Sequence, residues 1–203
     1  MRELLLIRHG ETEWSRDGRH TSYSDLALTE RGEREAEALR PWLAERDIAE
    51  VLVSPMARAA RTAELAGLKN PETVDDLHEW DYGGYEGITT AEIRRERPGW
   101  FLFEDGVAPG PPGHPGESPA QVGERADRVL ASIGPRLGED GGGDIVLVAH
   151  AHFLRVLTAR RLGLPPSAGA LFRLDTGTVS RIGTEHGRPA LVAWNGRVGA
   201  GGR

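Results

Sequence analysis

The segment LLLIRHGETEWS, residues 4–15, sets four consecutive apolar residues against an arginine, a histidine and a glycine. An unbroken apolar run that stops at a glycine-containing turn has the pattern of a strand buried on both faces, which belongs in the middle of a parallel sheet. The same order returns twice. AEVLVSPMARAARTAELAG, residues 49–67, reads as a strand over Val51–Val53 and then a helix with proline at its first turn and Gly67 at its end. DIVLVAHAHFLRVLTARRLG, residues 144–163, gives a strand over Ile145–Val148, a histidine at its end and an amphipathic helix.

Outward from these three units, residues 14–28 read as a polar loop, and Thr29 caps a helix whose Ala36, Leu39, Trp42 and Leu43 share one face, with Pro41 placed to kink it. A short strand is expected near Thr73 and Val74. Thr89 with Glu92, and Ser118 with Gln121, have the spacing of capping boxes, the second opening the longest marked helix, which runs into the flexible stop GEDGGGD. Runs near Thr178–Ile182 and Ala190–Trp194 form a hairpin over TEHG. Residues 104–117, EDGVAPGPPGHPGE, form a surface loop, either a lid or a tolerated insertion. The alternation predicts an α/β fold: a three-layer α/β/α sandwich around an open, mostly parallel sheet, with ligands outside the carboxyl ends of the strands. One domain over residues 1–196 with a flexible tail over 197–203 is expected.

The 203 residues carry 38% hydrophobic and 28% charged side chains, the proportions of an ordinary globular chain. A net charge of −6 offers no general attraction to nucleic acid or an anionic membrane, so any anion site must be local. The absence of cysteine removes disulfides, thiolate metal sites and thiol nucleophiles. MRELLLIR is too short an apolar run for a signal peptide and no later run spans a bilayer, which makes a cytoplasmic location the expectation. Oligomeric state has no signature.

Chemistry gathers at the strand ends. Arg8 beside His9 disfavours protonation of the imidazole and keeps it nucleophilic, while Gly10 is placed to let the backbone approach a ligand. Arg58 lies on the first turn of the second helix and His150 ends the third strand. Two histidines and two arginines thus reach one sheet edge from three strands, which is the composition of a phosphate pocket.

LIRHGETEW, LALTERG, VLVSPMARAARTA, EWDYGGYEG, GESPAQVGERA and LVAHAHFLR together resemble the histidine phosphatase superfamily, the phosphoglycerate mutase-like family, over most of residues 4–160. The resemblance implies that His9 becomes phosphohistidine, that Arg8, Arg58 and His150 bind the phosphoryl oxygens, and that Glu79 is the general acid, with Glu86 and then Asp81 as rivals. It implies no metal and no cofactor. Ser15, Thr21 and Ser22 occupy the stretch that binds the phosphate and the start of the leaving group; Ser15 stands where many relatives have asparagine and Ser22 where many have glycine. HTSYSD and HAHF resemble small acid phosphatases and sedoheptulose-bisphosphatase-like members, which brings His20 and His152 towards the substrate or leaves them on the surface. Trp14, Trp80 and Tyr85 line a pocket wall or simply pack.

The expected function is metal-independent hydrolysis of small phosphomonoesters, such as sugar phosphates. The short interval between Gly87 and Ser118 and the glycine-rich tail favour hydrolysis over mutase chemistry, in which water must be kept from the intermediate. A phosphoglycerate mutase, a protein-phosphohistidine phosphatase and a catalytically silent binding module are the alternatives.

Overall fold

The computed structural model describes residues 2–137 and 142–198. In chain order it contains β1 (Leu4–Arg8), α1 (Glu13–Asp17), α2 (Glu30–Ala44), β2 (Ile48–Val53), α3 (Ala57–Leu65) and β3 (Glu72–Thr73). There follow α4 (Thr90–Glu96), α5 (Leu102–Asp105), α6 (Pro119–Leu137), β4 (Asp144–Ala149), α7 (Ala151–Arg161), β5 (Val179–Glu185) and β6 (Arg188–Gly196). Of the expected flexible stop, residues 138–144, and tail, residues 197–203, residues 138–141 and 199–203 lie outside the described residues, whereas Asp144 opens β4 and Val198 packs against the core.

Six strands form one mixed sheet in the order β3-β2-β4-β1-β5-β6. The first four are parallel, and β5 and β6 close one side as an antiparallel hairpin. The expected open, mostly parallel sheet is therefore present. Side-chain alternation divides its core in two: Leu4, Leu6, Ile145 and Leu147 join Val122, Val129, Phe153 and Leu157 of α6 and α7 on one face. Leu5, Ile7, Val146 and Val148 join Leu39, Leu43, Ala59 and Ala63 of α2 and α3 on the other. Burial on both faces is why these strands read as continuous apolar runs. Among the described residues no helix is long and apolar enough to cross a membrane.

Several boundaries differ from expectation. The stretch expected as a loop from Trp14 opens with helix α1, because Thr12 and Ser15 form a reciprocal capping box and Gly18 ends the turn at φ 73°. Helix α2 runs through Pro41, and β5 extends to Glu185 so that the turn is tighter than TEHG. Thr29 caps α2, and the Thr89–Glu92 and Ser118–Gln121 pairs form as expected.

Gly10 serves a different contact from the one expected. A Cβ there would lie 2.2 Å from the carbonyl oxygen of Gly32, and a Cβ on Gly32 would lie 2.1 Å from that of Glu11. Backbone packs on backbone, so the glycine pair brings the first turn of α2 against the end of β1.

Candidate active site

The carboxyl ends of β1, β2 and β4 deliver His9, Ser54 and His150 to one rim of the sheet. His9 is 5% exposed, and its Nδ1 lies 2.7 Å from the Gly10 carbonyl oxygen. A carbonyl can only accept, so Nδ1 carries the proton and Nε2 keeps the lone pair. Burial, followed by the charges of Arg58 and Arg8, holds this imidazole well below its ordinary 6.5, against the opposing effect of the Gly10 bond. The backbone around it is fixed by Thr62, whose Oγ1 accepts from Gly10 N at 3.0 Å and donates to Arg58 O at 2.7 Å.

His150 packs its ring 5.1 Å from that of His9 and stands at the N-cap position of α7 without a side-chain capping bond. Its Nε2 is 2.7 Å from Ser54 Oγ, and Arg58 Nε donates to its Nδ1 at 3.3 Å. The rest of the Arg58 guanidinium donates to the carbonyls of Ser24, Thr21 and Ser22 at 3.0, 3.3 and 2.9 Å. Arg58 therefore ties residues 21–24 to the histidine pair. Burial also lowers the His150 pKa well below 6.5, with the Arg58 charge next in size.

Arg8 donates from Nη1 to Leu174 O at 2.6 Å, and its buried Nε has no hydrogen-bond partner among the described residues. A half-buried guanidinium whose buried Nε–H is unspent is suited to an anionic oxygen.

Glu79 is 4% exposed and accepts three backbone hydrogen bonds, from Trp80 N at 2.8 Å, Phe153 N at 2.8 Å and His152 N at 3.1 Å. The latter two are amides of the first turn of α7, so the carboxylate caps that helix from outside. Its two rivals are engaged elsewhere. Glu86 accepts from the amides of Ser22 and Ser24 and shapes that loop. Asp81 accepts from Gly83 and Gly116 and anchors the 106–117 loop, which also bonds Ala108 O to Gly84 N at 2.8 Å.

A cavity of about 250 Å³ is lined by Arg8, His9, Ser15, His20, Thr21, Glu79 and His152, together with Tyr82, Arg155, Arg173 and Asp175. No residue of the 106–117 loop lines it. Arg58 and His150 are fully buried and do not line it, and Ser22 is buried with its Oγ 3.5 Å from Glu79 O. Ser15 Oγ donates to Thr12 O at 3.0 Å and Thr21 Oγ1 to Arg19 O at 3.2 Å. A larger cleft of about 620 Å³, beside the amino end of β2, contains none of the candidate residues. Chemistry, not size, selects the smaller one.

His20 and His152 are stacked with centroids 6.2 Å apart. His20 Nδ1–H donates to Ile88 O at 2.6 Å, and His152 Nδ1 lies 2.6 Å from the Tyr82 hydroxyl. Burial leads in lowering both imidazoles, His152 the more strongly, and in pushing the Tyr82 hydroxyl well above 10.0. All three line the cavity, and burial favours the neutral form of each. Trp80 and Tyr85 pack instead, against Phe103 and Trp100, and Trp14 lies over Gly87.

Two supporting residues, Glu117 and Arg125, fall within the segment GESPAQVGERA. Arg125, 2% exposed, donates to the carbonyls of Asp76, His78 and Glu79 and grips Glu117 at 2.9 and 2.7 Å, with its guanidinium 4.6 Å over Phe153. Glu117 in turn accepts from Asp81 N. The signal was available: Arg125 falls among Val122, Ala126 and Val129 on the apolar face of α6, where a charge needs a partner.

Comparison with known proteins agrees with this architecture. The chain is 40% identical over 186 residues to an acid phosphatase of Mycobacterium tuberculosis (strain ATCC 25618 / H37Rv), covering 91% of this chain and 87% of that protein. It is 34% identical over 189 residues to sedoheptulose 1,7-bisphosphatase of Saccharomyces cerevisiae (strain ATCC 204508 / S288c), covering 79% and 67%. The solved structure of an open reading frame product from M. tuberculosis superposes with a TM-score of 0.85 at 39% identity, over 96% of this chain and 97% of that one. Residues 4–197 match the family described as histidine phosphatase superfamily (branch 1), and the chain is a member of that superfamily.

Proposed function

We propose that the protein hydrolyses small phosphomonoesters through a phosphohistidine on His9, without a metal ion. The observation that carries this reading is the His9 tautomer: with Nδ1–H bound to Gly10 O, the Nε2 lone pair is free in a cavity walled by Arg8 and Glu79. Nε2 attacks phosphorus and the bond to the leaving oxygen breaks, while protonated Glu79 gives its proton to that oxygen. Glu79 then takes a proton from water, which attacks phosphorus and expels His9 Nε2. Negative charge on the equatorial oxygens is met directly by Arg8, with the fixed charge of buried Arg58 nearby. His150 acts beside it by orienting Arg58.

Acid phosphatase and sedoheptulose bisphosphatase are activities named for relatives, and both release phosphate from an ester. With burial favouring their neutral forms, His20, His152 and Tyr82 on the wall suit a leaving group rich in hydroxyls, such as a sugar. Ser15 and Thr21 are assigned to the leaving-group side of the same cavity, with Ser22 supporting Glu79 from behind. The test is a chelator-treated assay over p-nitrophenyl phosphate, 3-phosphoglycerate and sugar phosphates. Turnover is expected to survive EDTA and to disappear in His9→Ala; loss with EDTA and recovery with magnesium would overturn the reading.

A further inference from the structure

One phosphoryl group leaves cations unused. Besides Arg8, the catalytic cavity is lined by Arg19, Arg155 and Arg173, against the carboxylates of Glu79 and Asp175. A second cavity of about 260 Å³ adjoins it, and Arg8, Ser15, Arg173 and Asp175 line both. Arg31 and Arg197 complete its basic wall.

These guanidiniums are exposed and only partly engaged by neighbouring carboxylates. Arg31 reaches Glu11 at 3.3 Å and Glu35 at 3.0 Å, Arg173 reaches Asp175 at 3.2 Å, and Arg197 stands 3.9 Å from Glu35. Glu35 is itself fixed by accepting from Glu11 N at 3.0 Å. Each arginine has five N–H donors; Arg31 and Arg173 spend one or two on these contacts, and Arg197 makes only the longer ion pair. The three carboxylates balance the three arginines, and Arg8 on the shared wall leaves the pair of cavities with positive charge to spare. Guanidiniums with donors to spare are suited to an oxyanion carrying two or three oxygens.

We infer that this second cavity binds another anionic group, phosphate or carboxylate, of the same substrate molecule, with Arg173 and Arg31 as its main contacts. The inference rests on the phosphatase reading for which ester is cut, and adds that the preferred substrate carries two anionic groups. Adjoining cavities with a common wall allow one small molecule to place a group in each.

Binding to His9→Ala protein, measured by calorimetry, separates this from turnover. Fructose 1,6-bisphosphate and 3-phosphoglycerate represent the two anion types, and fructose 6-phosphate is the singly anionic comparison. At least one doubly anionic ligand is expected to bind about tenfold more tightly than fructose 6-phosphate. Adding Arg173→Gln or Arg31→Gln should remove most of that advantage, whereas Arg19→Gln, which lines only the catalytic cavity, should retain it. Equal affinity for all three ligands would overturn the inference, as would an equal loss in Arg19→Gln, which marks general charge attraction. If the unsubstituted protein hydrolyses none of these esters while the Arg173-dependent advantage persists, the phosphatase reading falls and the subsite stands.

Discussion

At the scale of single residues, reactivity turns on where each proton sits. His9 keeps its Nε2 lone pair because Gly10 O holds the other nitrogen, and burial with two guanidiniums makes a charged ring costly. Glu79 is positioned from two sides: α7 amides on its carboxylate and Arg125 on its carbonyl at 3.2 Å. Glu79→Gln is therefore expected to slow alkyl phosphates at least tenfold more than p-nitrophenyl phosphate, whose leaving group needs little proton donation. Arg125→Gln should show the same bias in milder form, with kcat falling more than KM rises. Equal damage to both ester types in both variants, by steady-state kinetics, would contradict the acid role. His9, Arg58 and His150 were legible because each ends a strand or opens a helix. The role of Arg125 was not, since its partners lie 8 to 49 residues away in sequence.

At the scale of elements, the site depends on how closely β1 and α2 approach. The glycine pair Gly10 and Gly32 allows backbone contact, and an added methyl at Gly10 would meet the Gly32 carbonyl at 2.2 Å. Gly10→Ala is expected to cost about 1–3 kcal/mol, the usual range for overpacking, and to displace His9. Urea denaturation with phosphatase assay reads both effects; an unchanged midpoint with full activity would show that the strand end tolerates the shift. The parallel strands were readable from apolar runs alone. Helix α1 was missed because its five residues bury no side chain and carry only the Thr12–Ser15 box and Gly18 as signals. The 106–117 loop was ambiguous because its anchors, Asp81 and the backbone of residues 83–84, are distant in sequence.

At the scale of the whole molecule, a chain of net charge −6 brings Arg8, Arg19, Arg155 and Arg173 around one cavity with the buried histidines. That arrangement carries a stability signature. His9, His20, His150 and His152 all have pKa values below 6.5 when folded, with burial as the leading cause. The unfolded chain takes up their protons near pH 6.5 and the folded one does not, so stability is full above that pH and falls as pH drops below it. Each histidine adds a slope of up to about 1.4 kcal/mol per pH unit until its folded pKa is reached. Urea midpoints should decline together from pH 7 to pH 5.5, and a flat profile would mean that these rings protonate in place. The three-layer fold was legible from alternation. The joining of two cavities through Arg8 was not, because Arg31, Arg173 and Arg197 meet only once the sheet is assembled.

The most direct measurement is rapid quenching of the protein with p-nitrophenyl phosphate, followed by mass spectrometry of its peptides under alkaline conditions. A single phosphoryl group on His9, formed within the first turnover, lost on acid treatment and accumulating when Glu79→Gln slows hydrolysis, is the expected result. Turnover with no phosphorylated histidine at any time, or continued turnover in His9→Ala, would contradict the phosphohistidine route.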